Sequence, residues 1–336
     1  MTLLIDTVVR IEPPIKATRE VAGKEYRIRL PTGPATIVLS VEPRDQAAGG
    51  GAVPVTWPTF PGKVLPPVLR PVGYRVGTSA QLLPSAGQFD IEAMRCRLKV
   101  DESVTDPTSF EWPMTIGVAF GAWLQKAREW IGAWNGMPQA DLTRRMHPYM
   151  EAIYRKDGIW VRIGIGSGDV SMIFPGHPLV RPPALFGAFD AASAGMELPL
   201  QHRLLETARV HLLLEDHRSC TIDACCAAEV ALSNAVIESM KRNRGLSDRE
   251  AKDFVVSAHG VVDVFRLYLA ACGSAVSEGQ VKGRLAGPRN RAAHEGDELS
   301  KDDAEAALET AKKLITEATP LETPAQVRRR ARGVLG

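Results

Sequence analysis

Apolar and polar residues alternate in short runs through the first part of the chain. Glu25–Leu30 (EYRIRL) and residues 35–42 (ATIVLSVE) flank a turn at residues 31–34. Residues 90–100 (DIEAMRCRLKV) and 158–165 (GIWVRIGI) repeat the pattern. A period of two predicts strands with one dry and one wet face. One helix stands among them, over residues 115–134, where Val118, Trp123, Ala127, Trp130, Ile131 and Trp134 recur near helical spacing. The spacing predicts that it packs on a small sheet, with its tryptophans in the core rather than stacked on a cofactor or base. Residues 46–54 (QAAGGGAVP) read as a loop or hairpin tip.

From residue 200 onward the period is helical, and five helices can be drawn. The first covers residues 200–215. The second covers 218–243, with a stripe through Ile222, Cys225, Cys226, Leu232, Val236 and Met240. Gly245 ends it, and Ser247 with Glu250 forms a capping box for the third helix. That helix runs to residue 272 through Ala251, Phe254, Val255, Ala258, Val262, Phe265 and Leu269. The fourth, residues 277–294, is broken or bent near Gly287-Pro288, because a proline lacks its N–H and clashes one turn back, and Pro288 suits the first turn of a short new segment carrying Arg289 to His294. The last starts at Ser300, with Asp303 in the cap and Ala304, Ala307, Leu308, Ala311, Leu314 and Ile315 on one face.

Proline and glycine mark the same division. Of 24 prolines, 21 precede residue 200, and of 29 glycines, 20 do. Proline is kept out of helix interiors and central strands, so the first part is built from loops and short strands. The chain reads as α+β in two domains: residues 1–195, β-rich with one main helix, and residues 196–320, an all-α bundle. Residues 321–336, with Arg328, Arg329, Arg330 and Arg332, read as a basic flexible tail.

Charge adds little. The net charge is +2, with 21 basic and 19 acidic residues before residue 200 and 20 of each after it. A broad electrostatic face for nucleic acid is not expected, and any RNA contact should be local. The five cysteines show no CxxC or Cys/His metal spacing and read as reduced core residues of a cytoplasmic protein. The start has no basic region or long apolar core of a signal peptide, and no run approaches a membrane span. GIGSGD at 164–169 lacks the spacing of a dinucleotide or phosphate loop, and His147 and His177 have no identifiable partner. No cofactor or metal is expected.

The stretch that carries chemistry is residues 283–296, GRLAGPRNRAAHEG. Asn290 and His294 are four apart and share a helix face, and Arg289 stands one residue off it. Gly296 is placed to end the helix. A guanidinium, an amide and an imidazole together suit an anionic phosphate: the Arg binds it in a fork and the His moves a proton. Arg289 and His294 point about 140° apart on a regular helix, so one copy of the motif makes a poor active site. Glu229 interrupts the apolar stripe of the second helix and needs a cation, for which Arg289 is the preferred partner; the alternatives are another Arg or a place at the edge of the stripe.

Arg289-Asn290-x-x-x-His294 resembles the signature of HEPN domains, an Arg followed four to six residues on by a His, with a polar residue after the Arg. The resemblance covers roughly the last 140 residues as a pattern of helices. It implies a small helical domain that forms a homodimer with a shared cleft. It also implies a metal-independent endoribonuclease of the kind found in toxin and anti-phage systems. In that reading Arg289, Asn290 and His294 are catalytic and RNA is the substrate. Glu229 and Asp216 support the site, Asp216 matching an acidic residue common at that helix junction. The architecture, a long first domain joined to such a unit, suggests a sensing or regulatory role for that domain, with a ligand or protein partner. The alternative is a non-catalytic nucleotide- or RNA-binding or dimerisation module that works with a partner protein. No membrane partner is expected.

Overall fold

A computed structural model describes residues 2–21, 24–30, 33–38, 88–101, 111–136, 150–156, 159–165, 180–295 and 298–335. The loop at 46–54, the turn after Ile165, His147, His177 and Gly296 lie outside the described residues. Strands β1 (Thr2–Thr18), β2 (Glu25–Leu30), β3 (Gly33–Val38), β4 (Gln88–Asp101), β5 (Met150–Lys156) and β6 (Ile159–Ile165) form one antiparallel sheet in the order β2-β3-β4-β1-β5-β6. Helix α1 (Glu111–Asn135) lies between β4 and β5, and α2 (Pro182–Ser193) follows β6. Then come α3 (Leu200–Leu213), α4 (His217–Arg244), α5 (Asp248–Val256), α6 (Gly260–Cys272), α7 (Glu278–Val281), α8 (Gly287–Asn290), α9 (Lys301–Ala318) and α10 (Pro324–Leu335).

Contacts divide the chain into two units. One comprises Met1–Ala127, Asp141–Met196 and Pro324–Gly336; the other comprises Arg128–Ala140 and Glu197–Thr323. In the first, alternation along the strands sets the layers. Ile28, Leu30, Ala35 and Ile37 are buried, while Arg27 and Arg29 between them are exposed. The dry face takes α2: Tyr26 stacks on Phe186 with ring centroids 5.0 Å apart and meets Phe189 edge-on at 5.6 Å. Trp123 of α1 packs on Phe189 at 5.0 Å and donates to Ser193 Oγ at 3.1 Å, a core role as its spacing predicts. Val118, placed on the same stripe by spacing, is instead exposed.

Two strands and one helix exceed the sequence reading. Strand β1 hides behind Pro13-Pro14, which cannot donate ladder bonds; the register shifts between Arg10 and Ile15 and pairing resumes beyond. Helix α2 opens on Pro182-Pro183, which suit the first helical turn. The basic end corrects an expectation. Residues 324–335 are a helix, because Val327 and Ala331, four apart, bury a small apolar stripe. Arg328 Nε reaches Asp190 Oδ2 of α2 at 2.9 Å. The four arginines conceal that stripe in the sequence.

In the second unit α4 is the central helix, and α3, α5, α6 and α9 pack on it. Ala224, Ala228, Ala231 and Leu232 are fully buried with Phe265, Ala307 and Leu314. The caps fall where the sequence places them. Gly245 ends α4 at φ 67, a left-handed position that favours glycine, and Ser247 with Glu250 forms the capping box of α5. The third expected helix is two, because Gly260, at φ 77, turns the chain between α5 and α6. Among the described residues α4 alone is long and apolar enough to cross a bilayer, but half of its most apolar window is buried, as in a core helix.

Glu206 of α3 is buried beside Arg209, and its Oε2 has no hydrogen bond among the described residues. Burial pushes its carboxyl up to about 7 against the attraction of Arg209. A raised acid means that the folded chain holds more protons than the unfolded chain between pH 4.5 and about 7, so stability falls as pH rises through that window. Glu206→Gln removes this titration. Its stability relative to wild type is expected to improve from pH 5 to pH 8 by on the order of 2 kcal/mol, read from urea midpoints. An equal difference at both values would show that Glu206 does not titrate there.

Candidate functional site

The segment from Ser277 to Glu295 carries the candidate residues. Ser277 caps α7 reciprocally with Gln280. After Val281 the helix widens: residues Lys282–Ala286 and Arg291–Glu295 form two π turns on either side of α8. In such a turn the backbone bonds five residues back, and Gly287 N–H donates to Lys282 O. The cause is local. Pro288 has no N–H for the regular ladder and its ring crowds the turn before it, so the chain widens instead of starting a new helix. Pro288 and Leu285 are buried, α8 packs on α4, and Arg291 pairs with Asp303 of α9 at 3.6 Å.

The wide turn changes which side chains meet. Arg289 Nη1 lies 3.3 Å from His294 Nε2 and donates to Asn290 Oδ1 at 3.3 Å. The regular-helix geometry that sets Arg289 and His294 far apart is corrected: a pair five apart is aligned by a π turn. The bond belongs to Arg289 and His294, not to the pair four apart. A guanidinium has donors only, so Nε2 accepts and the proton of the neutral imidazole sits on Nδ1. Arg289 is half-buried, and Asn290 and His294 are exposed. An anion can therefore reach all three.

The supporting residues stand differently. Among the described residues no hydrogen bond or ion pair joins Glu229 to Arg289, whose guanidinium is engaged on its own helix. Glu229 is half-buried at the edge of the α4 stripe, which was the alternative reading. Both still lie close to the paired thiols. Burial pushes Cys225 up to about 12, Cys226 is raised by burial first and then by Glu229, and Arg289 opposes both shifts. The thiols stay protonated and structural. Asp216 is the N-cap of α4 and accepts from Ser219 N at 3.0 Å; that bond holds its carboxyl below the usual range.

Sequence reasoning missed His211 and the turn geometry. His211 Nδ1 is 3.3 Å from Asp216 Oδ2, and its Nε2 is 3.5 Å from Asp223 Oδ2. The spacing of Asp216 and Asp223, seven apart on one helix face, was the available signal. The Gly287-Pro288 pair inside a helix was the signal for the widened turn.

Gly287 tests the turn. A Cβ there would meet Lys282 O at 3.1 Å, the same carbonyl that closes the π turn. Alanine favours a helix by about 0.8–1 kcal/mol, which offsets that crowding. Gly287→Ala is expected to leave stability within about 1 kcal/mol while the Arg289–His294 pair separates. The check is the urea midpoint beside the NMR shift of the His294 ring, and an unmoved ring would show that the turn does not depend on glycine.

No family model, curated protein or solved structure matches the chain.

Proposed function

We propose that this chain is a metal-independent endoribonuclease of the HEPN kind, acting as a homodimer, of the type used as bacterial toxins or anti-phage effectors. The observation that carries the proposal is the pair of half-buried Arg289 and exposed His294 at 3.3 Å, with Asn290 on the same guanidinium. The guanidinium keeps the pair cationic whether or not the imidazole is protonated, so it suits a phosphodiester better than a divalent ion.

The chemistry needs no group from outside. The ribose 2′-oxygen bonds to the adjacent phosphorus, the bond from phosphorus to the 5′-oxygen breaks, and the products end in a 2′,3′-cyclic phosphate and a 5′-hydroxyl. One imidazole takes the 2′ proton and one gives a proton to the leaving 5′-oxygen. Arg289 turns from His294 Nε2 to the phosphate and offsets the charge of the phosphorane, which frees Nε2 for the proton. Asn290 orients the phosphate. Base and acid are needed together, and one chain supplies one His of this motif. Two motifs facing across a twofold axis supply both.

The test is product analysis. Single-stranded RNA incubated with purified protein and EDTA is expected to give 5′-hydroxyl and cyclic-phosphate ends. Light scattering is expected to give about twice the 36.5 kDa chain mass. Ends of 5′-phosphate type would overturn the mechanism. RNA binding without any cleavage would favour the non-catalytic binding module.

A further inference from the structure

The sheet of the first unit has one face with few charges, Lys156 at the end of β5 among them, and one rich in cations. Register follows the pairing across all six strands. The row Ile28, Ala35, Leu98, Ile5, Tyr154 and Val161 holds no charged residue. The row of Tyr26, Ile37, Cys96, Thr7, Ala152 and Ile163 holds none either. This is the face on which Ile28, Ala35 and Ile37 are buried and Tyr26 meets α2.

The alternate positions form the other face. One row carries Arg27, Arg97 and Arg162, with Asp6 among them. The neighbouring rows place Arg29, Lys99 and Arg155 on one side and Arg95 on the other, with Glu25 and Glu151. In these three rows seven cations stand against three acids, and Arg27 and Arg29 among them are exposed. The chain's near-neutral total hides this, because the sheet sorts charge to one side. Along β4 the positions of Arg95, Arg97 and Lys99 repeat every second residue, roughly 7 Å apart, a step comparable to that between successive phosphates of an extended strand. Trp160 is the register partner of Arg155.

We propose that this basic face of the sheet binds the backbone of single-stranded RNA. The choice of RNA as the polyanion rests on the proposed cleavage; the sorting of charge does not. Regular cation spacing fits a phosphate backbone better than the irregular charges of an acidic protein, and an aromatic position among cations fits unpaired bases better than a duplex.

The test uses the full chain carrying His294→Ala, so that RNA survives, and measures anisotropy of a fluorescein-labelled 20-nucleotide oligouridylate between 50 and 200 mM salt. Two further backgrounds are compared, Arg27→Ala/Arg29→Ala and Arg95→Ala/Arg97→Ala, each with its circular dichroism melt. Affinity is expected to fall at least tenfold in both. The slope of log K against log salt should become shallower by about 1.4 for two lost phosphate contacts. Arg27→Lys/Arg29→Lys should retain binding. Unchanged affinity in both alanine pairs overturns the proposal, as does absence of binding in the parent. Equal binding of polyglutamate, lost in the same variants, overturns it in favour of an acidic protein. Cleavage is scored separately on wild type with a dinucleotide. Cleavage with unaltered binding removes only the sheet proposal; weakened binding without cleavage removes only the nuclease.

Discussion

His294→Ala and Arg289→Ala are each expected to lower RNA cleavage in EDTA by a factor of roughly 10² to 10⁴, with wild type fully active. The two losses have different origins. Without His294 the 2′ proton has no base and the 5′-oxygen no acid, so kcat falls. Without Arg289 the imidazole keeps its place but the phosphorane loses its counter-charge, and Nε2 loses the donor that aligns it at 3.3 Å. Arg289→Lys keeps the charge but not the fork that reaches both Asn290 and His294, and should recover only part of the rate. Because the residues act as a unit, the double variant should be little worse than either single one. Neither replacement threatens the fold: His294 is exposed, and Arg289 bonds only to its own segment among the described residues. Cleavage surviving in both variants would assign the activity elsewhere.

The helices were legible wherever local rules decide them. Gly245 as a left-handed end, the Ser247–Glu250 box and the Ser300 cap each follow from a side chain within three residues of the group it serves. Helix α4 was legible because its stripe is long. The motif residues were legible by type, but their geometry was not. Regular periodicity sets Arg289 and His294 apart, and only the widened turns around Pro288 bring them together. Strand β1 was lost because Pro13-Pro14 reads as a breaker, whereas a register shift absorbs it. The basic sheet face was invisible to a count of charge by halves. It needs the pairing register, which joins Arg27 to Arg97 across Thr36, residues far apart in the chain. The end helix failed for a related reason: Arg328 finds its partner 138 residues away.

That partner sets the second large effect. Asp190→Ala is expected to free α10 from α2 and to raise the rate of tryptic cutting at Arg328 to Arg332 about a hundredfold, corresponding to roughly 3 kcal/mol. Asp190 is 5% exposed and serves three groups: Tyr26 donates its hydroxyl to Oδ1, Arg328 Nε lies 2.9 Å from Oδ2, and Arg332 Nε lies 3.5 Å from it. Burial, followed by the hydrogen bond to Asp190, raises the Tyr26 phenol well above its usual range, so it stays a donor. Removing the carboxylate leaves the Tyr26 hydroxyl with only the Phe186 carbonyl, 3.1 Å away, and takes the counter-charge from half-buried Arg328 and from the more exposed Arg332 at once, which costs more than the net value of any one bond. The apolar contacts of Val327 and Ala331 are too small to hold the helix alone. Asp190→Asn keeps an acceptor for one donor and should fall between alanine and wild type. Arg328→Ala in the Asp190→Ala background should add little, since the two share one interaction. If trypsin cuts the alanine variant no faster than wild type, the packing of α10 on α2 does not depend on the carboxylate, and the arginines are held by the ring of Phe186, which Arg328 covers at 5.6 Å.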